Sequence, residues 1–128
     1  MLRIVLVLLT ALLAGAYGDI CLSRGMHQLG PLGGVSLAHL LRFGGRILLN
    51  PSVVMGFALH ATFFGLWLLL LRWGDLSFIF PLTALGYVLT AIFARVFLGE
   101  TVSLLRWGGT FTIMMGVAMI LVDRYGVK

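Results

Sequence analysis

Residues 76–122 are two long apolar blocks joined by one short polar hinge, Gly99-Glu100-Thr101-Val102-Ser103. Nineteen residues, 76–94, pass without a formal charge. As a helix they reach roughly 28 Å at about 1.5 Å per residue, close to the hydrocarbon thickness of a bilayer. The second block, 107–122, is uncharged for sixteen residues. It spans with help from Leu104 and Leu105, while Arg106 snorkels its guanidinium back to the interface. The hinge is too short for a soluble excursion, so the blocks are expected to run antiparallel as a membrane hairpin.

The rest of the chain follows the same pattern. Hydrophobic residues make up 61% and charged residues 10% of the 128, whereas soluble globules are about a quarter charged. The apolar runs are continuous and do not alternate, which selects helices over a barrel. The expectation is an all-α membrane protein, with residues 1–128 forming a single four-helix transmembrane domain. Its spans are placed at about 4–22, 52–71, 76–98 and 104–122. Met1-Leu2-Arg3 and the apolar run behind it resemble a secretory leader, but a retained first span serves the same insertion role.

Ser23 to Gly33 reads as a connection, rich in Gly and carrying Pro31. Residues 35–49 differ in kind. Leu37, Leu40, Leu41 and Leu48 fall on one side at helical spacing, with His39, Arg42 and Arg46 towards the other and Phe43 nearer the polar side. This predicts an amphipathic helix lying in the membrane interface; a leucine-bearing loop is the alternative, given Gly44-Gly45. Asn50-Pro51 then opens the second span as cap and first helical residue.

Net charge is +5, yet every basic residue except Arg95 lies in or beside a connection. That is where membrane proteins keep them, and no basic stripe with interleaved aromatics points to nucleic acid. One side collects Arg3, Arg72, Arg124 and Lys128; the other collects Arg24, Arg42, Arg46 and Arg106, with Arg95 if it snorkels that way. This balance leaves the orientation undecided. The single Cys21 offers no disulfide, and no metal spacing, phosphate loop or Ser/His/Asp set is present. The chain is expected to be neither an enzyme nor a cofactor protein.

A few residues stand out against the apolar background. Asp19 is a carboxylate within a span, costly in lipid and normally kept for an ion or substrate pathway; the plainer reading is a solvated helix end. His60 lies near mid-depth of the second span and is placed to approach Asp19 from the antiparallel neighbour, or to bond a backbone carbonyl. Arg95 is expected to reach a lipid phosphate, pair with Glu100 or simply snorkel. Pro81 permits a kink in the third span, where Thr83, Tyr87 and Thr90 offer a polar face. In the first span, Ala11, Gly15 and Gly18 put small residues on one face for close helix contact.

Phe80-Pro81 with Ala84-Leu85-Gly86-Tyr87-Val88 resembles the third span of the aminoarabinose-phosphoundecaprenol flippase subunits, four-span members of the drug/metabolite transporter superfamily. Phe97-Leu98-Gly99-Glu100 with Val102-Ser103 is similar to the Leu-Gly-Glu hinge of that superfamily. Gly18-Asp19-x-Cys21 with Arg24 resembles a Gly-Gln-x-Cys-x-Lys run of the flippase subunits, Asp19 standing where they carry Gln. Gly109, Ile113, Gly116 and Val117 resemble the seam by which small multidrug resistance proteins dimerise. Those proteins carry a first-span glutamate where this chain has Gly15. The resemblance implies an inner-membrane transporter acting as a homodimer, or as a heterodimer with a similar four-span chain. It implies movement of a phosphate-bearing or polyprenyl-linked lipid between leaflets, with membrane lipids as partners. From the residues themselves, Asp19, His60, Pro81, Tyr87 and Arg95 are expected to line the path, and Arg24, with Arg42 and Arg46 of the interfacial helix outside the resemblance, to recruit the head group. Proton-coupled export of small cationic or hydrophobic compounds through Asp19, and a non-transporting accessory subunit of a membrane enzyme, are the alternatives.

Overall fold

Among the described residues, four helical stretches are long and apolar enough to cross a membrane: Arg3–Leu29, Pro51–Trp73, Leu76–Phe97 and Leu104–Asp123. The computed structural model describes residues 2–31 and 33–126 and contains no strand among them. Its helices are α1 (Leu2–Leu29), α2 (Leu37–Leu49), α3 (Pro51–Trp73), α4 (Leu76–Leu82), α5 (Leu85–Phe97) and α6 (Leu104–Gly126). Met1, which opens the leader-like run, Leu32 of the first connection, and Lys128 of the charge balance lie outside the described residues.

α1 runs to Leu29, past the expected end at residue 22. Residues 23–29 contain no proline, and they pack rather than dangle. Gly25 is buried against Val53 and Asn50, and Arg24 bonds α5. The stop comes at Gly30, whose φ of +71° is the left-handed conformation that glycine supplies at helix ends, with Pro31 behind it.

α3 is the principal neighbour of α1, and the small face predicted from the sequence makes this contact. A Cβ on Gly56 would lie 2.6 Å from Leu22 Cγ and 3.0 Å from Gly18 O. One on Gly25 would lie 2.5 Å from Val53 Cγ2. In lipid, where burial from water contributes nothing, such close van der Waals packing is the main source of helix affinity. α3 itself starts on a formed cap, Asn50 Oδ1 accepting from Ser52 N at 2.9 Å and Val53 N at 3.2 Å.

Towards the other end, Leu8 and Leu12 of α1, Leu70 of α3, Phe78, Ile79 and Leu82 of α4, and Val117 of α6 form one buried cluster. No buried polar side chain occurs among the described residues, and most large apolar side chains point outward. Thr10, Thr62, Thr110 and Thr112 each bond the carbonyl four residues back, which satisfies a hydroxyl without water.

The third span, expected over 76–98 with a kink permitted at Pro81, runs Leu76–Phe97 and is broken after Leu82. Pro81 has no N–H and crowds the carbonyl of Ser77, so the ladder is interrupted and α4 ends at Leu82. The chain tightens through shorter-range bonds, Ala84 N to Pro81 O at 3.0 Å and Gly86 N to Thr83 O at 2.8 Å, before α5 begins. α5 stops at the Leu-Gly-Glu hinge, where Gly99 takes φ +68° and Glu100 N reaches back to Ala94 O at 3.2 Å.

The four residues likened to a dimer seam do not share one environment. Val117 is buried and Ile113 packs on the core, while Gly109 and Gly116 are exposed with nothing near a built Cβ. At 3.6 residues per turn the four form a stripe roughly 100° wide, and α6 turns only its edge to the bundle.

Candidate functional site

Gly18 is the residue that makes the site possible. With no side chain there, α3 comes close enough for the His60 ring to lie over the α1 backbone. A Cβ on Gly18 would sit 2.6 Å from His60 Nδ1. That nitrogen is 3.1 Å from Gly56 O, one turn earlier on α3. A carbonyl oxygen only accepts, so Nδ1 carries a hydrogen. The other ring nitrogen, Nε2, is 3.2 Å from Asp19 Oδ1. The contact joins α1 and α3 through one imidazole and one carboxyl group.

α5 supplies the third member. Thr90 Oγ1 donates to Asp19 Oδ2 at 3.2 Å, so this threonine reaches across helices where Thr10, Thr62, Thr110 and Thr112 bond their own. Asp19, His60 and Thr90 therefore meet from three helices, and they border a cavity of about 190 Å³. Leu12, Gly15, Ala16 and Phe63 form its apolar wall; Thr83, Gly86 and Tyr87 line it from the interrupted third span. His60 is the tenth of the 23 residues of α3, so the polar pair lies well inside the apolar length. α1 continues ten residues beyond Asp19, which does not end the helix. The His60 and Asp19 side chains remain 38% and 46% exposed.

The other sequence candidates separate. Tyr87 lines the cavity; Pro81 does not, but it produces the break from which Thr83 lines it. Arg95 is exposed beside Gly99, Glu100, Thr101 and Val102 at the hinge, away from the cavity, and is not ion-paired with Glu100. Arg24 bonds Phe97 O at 2.8 Å, capping the last carbonyls of α5 with a cation, while Tyr17 meets Phe97 edge-on. It stands apart from Arg42 and Arg46, which share a groove of about 260 Å³ with Pro31, Gly33, His39 and Phe43.

Sequence reasoning paired Asp19 with His60 but missed two contacts. One is the Thr90 bond, whose signal was a threonine on the polar face of the third span. The other is the Arg24–Phe97 link, which joins residues 73 apart and has no local signature. Among the described residues, no group of three or more His, Cys, Asp or Glu is placed to hold a metal ion.

No family model matches the chain, and no solved structure matches it at a significant level. Among curated proteins it is similar to the probable 4-amino-4-deoxy-L-arabinose-phosphoundecaprenol flippase subunit ArnE of Yersinia pestis (strain Pestoides F) and to its counterpart in Yersinia pseudotuberculosis serotype O:3 (strain YPIII). In both the identity is 36% over 55 residues, covering 43% of this chain and 48% of the relative. The chain thus spans about half the length of the curated relatives it matches. The described helices include four long and apolar enough to cross a membrane, and the partial similarity is to a flippase subunit.

Proposed function

We propose that the chain is a subunit of a transporter that moves a phosphate-bearing, polyprenyl-linked lipid between leaflets. It would act in the inner membrane by alternating access, without catalytic chemistry of its own. The observation that carries this reading is the cavity bordered by Asp19, His60 and Thr90, set well inside the apolar helices beside an interrupted third span. Transporters commonly place substrate at mid-membrane next to discontinuous helices, whose freed backbone and altered packing allow one half to rock against the other. Similarity to a flippase subunit favours a lipid over a soluble cargo.

The cavity is closed on one side by α1, α3 and α5 and leaves Asp19 and His60 partly exposed. A second four-span chain, identical or similar, is the natural cover for that opening. Reconstitution tests the proposal: vesicles containing the protein and a fluorescent undecaprenyl-phosphate sugar, assayed for arrival of label in the outer leaflet. Translocation that requires the protein and falls with Asp19→Ala and His60→Ala supports it. Vesicles that never translocate, alone or with a similar chain, would remove it.

The Asp19–His60 contact inside the apolar helices favours one second reading, proton-coupled export of a small cation. On that reading Asp19→Asn abolishes export driven by a pH gradient. Lipid translocation that survives Asp19→Asn selects the first.

A further inference from the structure

The groove on α2 lies apart from the cavity. His39, Arg42 and Arg46 follow one another at helical spacing, which puts three basic side chains along one face of α2. They line one groove together with Phe43, and Pro31 and Gly33 of the preceding connection form its other wall. Ser36 Oγ lies 3.0 Å from His39 Nδ1 and holds the ring in place. A Cβ on Gly33 would come no nearer than 3.9 Å to the His39 ring, so the glycine wall leaves the basic face uncovered.

Neither Arg42 nor Arg46 has a carboxylate partner within 4 Å among the described residues, and α2 contains no acid. Two arginines sharing a groove without a counter-ion constitute an anion site in waiting. Guanidinium groups bind phosphate through two parallel hydrogen bonds, a geometry lysine does not reproduce. At about 260 Å³ the groove is smaller than the roughly 300 Å³ of a pocket that encloses a whole small ligand, and so suits a head group.

The remaining surface of α2 identifies the source of that phosphate. Leu37, Leu40, Leu41 and Leu48 are exposed, and no residue of the helix is buried. α2 joins the end of one apolar helix to the start of the next, so it lies at the level where head groups meet acyl chains. A soluble phosphate would leave those leucines uncovered; a lipid covers both faces at once. We infer that the α2 groove is a docking site for the phosphate of an anionic lipid, held by Arg42 and Arg46 with acyl chains along the leucine face. This holds whatever the central cavity transports.

The test is native mass spectrometry of the full chain in detergent micelles, titrated with phosphatidylglycerol. Expected is one tight lipid site that phosphatidylcholine, whose phosphate is already neutralised, fails to fill. Arg42→Gln/Arg46→Gln should weaken it roughly 30-fold, from two juxtamembrane charges. Arg42→Lys/Arg46→Lys should fall between the two, and Arg72→Gln/Arg106→Gln, which removes as much charge elsewhere, should bind like the parent. Circular dichroism checks that helix content is unchanged. Equal binding by the Arg42/Arg46 glutamine variant, or an equal loss in the Arg72/Arg106 variant, would overturn the assignment. So would glycerol phosphate displacing the lipid at matched concentration, since the site would then belong to a soluble phosphate.

Discussion

Gly18→Ala breaks the Asp19–His60 contact without touching either polar residue. The added methyl carbon would lie 2.6 Å from His60 Nδ1, 2.9 Å from Cε1 and 3.2 Å from Leu59 Cβ. Carbon contacts become favourable near 3.5 Å, so the ring retreats by roughly 1 Å. Its bonds are 3.1 Å to Gly56 O and 3.2 Å to Asp19 Oδ1, and a hydrogen bond fades beyond about 3.5 Å. At least one must go. That loss costs about 0.5–1.5 kcal/mol, while alanine in place of a helical glycine returns up to about 1 kcal/mol. The variant should fold with a stability within about 1 kcal/mol of the parent, yet with the pair disrupted.

The assay is ¹⁵N NMR of the histidine rings, with the His60 signals assigned by their absence in His60→Gln, beside lipid translocation in vesicles. Expected are displaced His60 signals and, on the proposed function, a translocation rate lower by roughly tenfold, equivalent to about 1.4 kcal/mol of barrier. Gly15→Ala is the control. Its Cβ meets Phe63 Cδ2 at 3.3 Å, a contact that side chain relieves by moving a few tenths of an ångström. Unchanged His60 signals and full translocation in Gly18→Ala, or an equal loss in Gly15→Ala, would refute the reasoning.

Gly56→Ala should cost about 1–3 kcal/mol in a thermal melt, because its Cβ meets the Gly18 carbonyl at 3.0 Å as well as Leu22. Gly65→Ala on the same helix, where nothing lies within 4 Å, should be neutral or stabilising. Asn50→Ala removes both cap bonds of α3 and should lower stability by about 1 kcal/mol. Pro81→Ala restores the missing N–H, so it should stabilise the third span by up to about 3 kcal/mol while slowing translocation, as read by melting and turnover together.

The four apolar spans were legible in the sequence because length and apolar continuity decide them in lipid. The Asn50-Pro51 cap and the Gly99 stop were legible for the same kind of reason, each being a local solution to orphaned backbone groups. The α1 terminus was not. Arg24, Gly25 and His27 read as connection, and contacts distant in sequence, to the Phe97 carbonyl, Val53 and Asn50, give that turn something to pack on. Asp19 and His60 were legible as an antiparallel pair, since depth along two neighbouring spans is simple arithmetic. Thr90 as the third member was not, because its rotation depends on how far α5 turns after the Pro81 break. Likewise the spacing of Gly109, Ile113, Gly116 and Val117 defined a stripe but not which edge of it the bundle would use.

The exposure of the central pair constrains the working assembly. In hydrocarbon, an ionisable side-chain pair is tolerated only where protein or trapped water surrounds it. Here three helices cover part of Asp19 and His60, and α6, the least buried of the four apolar stretches, does not line their cavity. Moving the α4–α5 break inward would cover the pair but also close the cavity, so one chain would alternate between an exposed site and none. On the proposed function, a second chain across the opening would remove that conflict. It would shield the pair in both states and let the interrupted span open the cavity to one leaflet or the other. A dimer, proposed for this chain, would meet the needs of Asp19 and His60 whichever face of α6 completed it. Mass measurement on gently extracted protein checks this: two copies, or one copy with a similar chain, is the expected result, and a stable monomer that still translocates lipid would refute it.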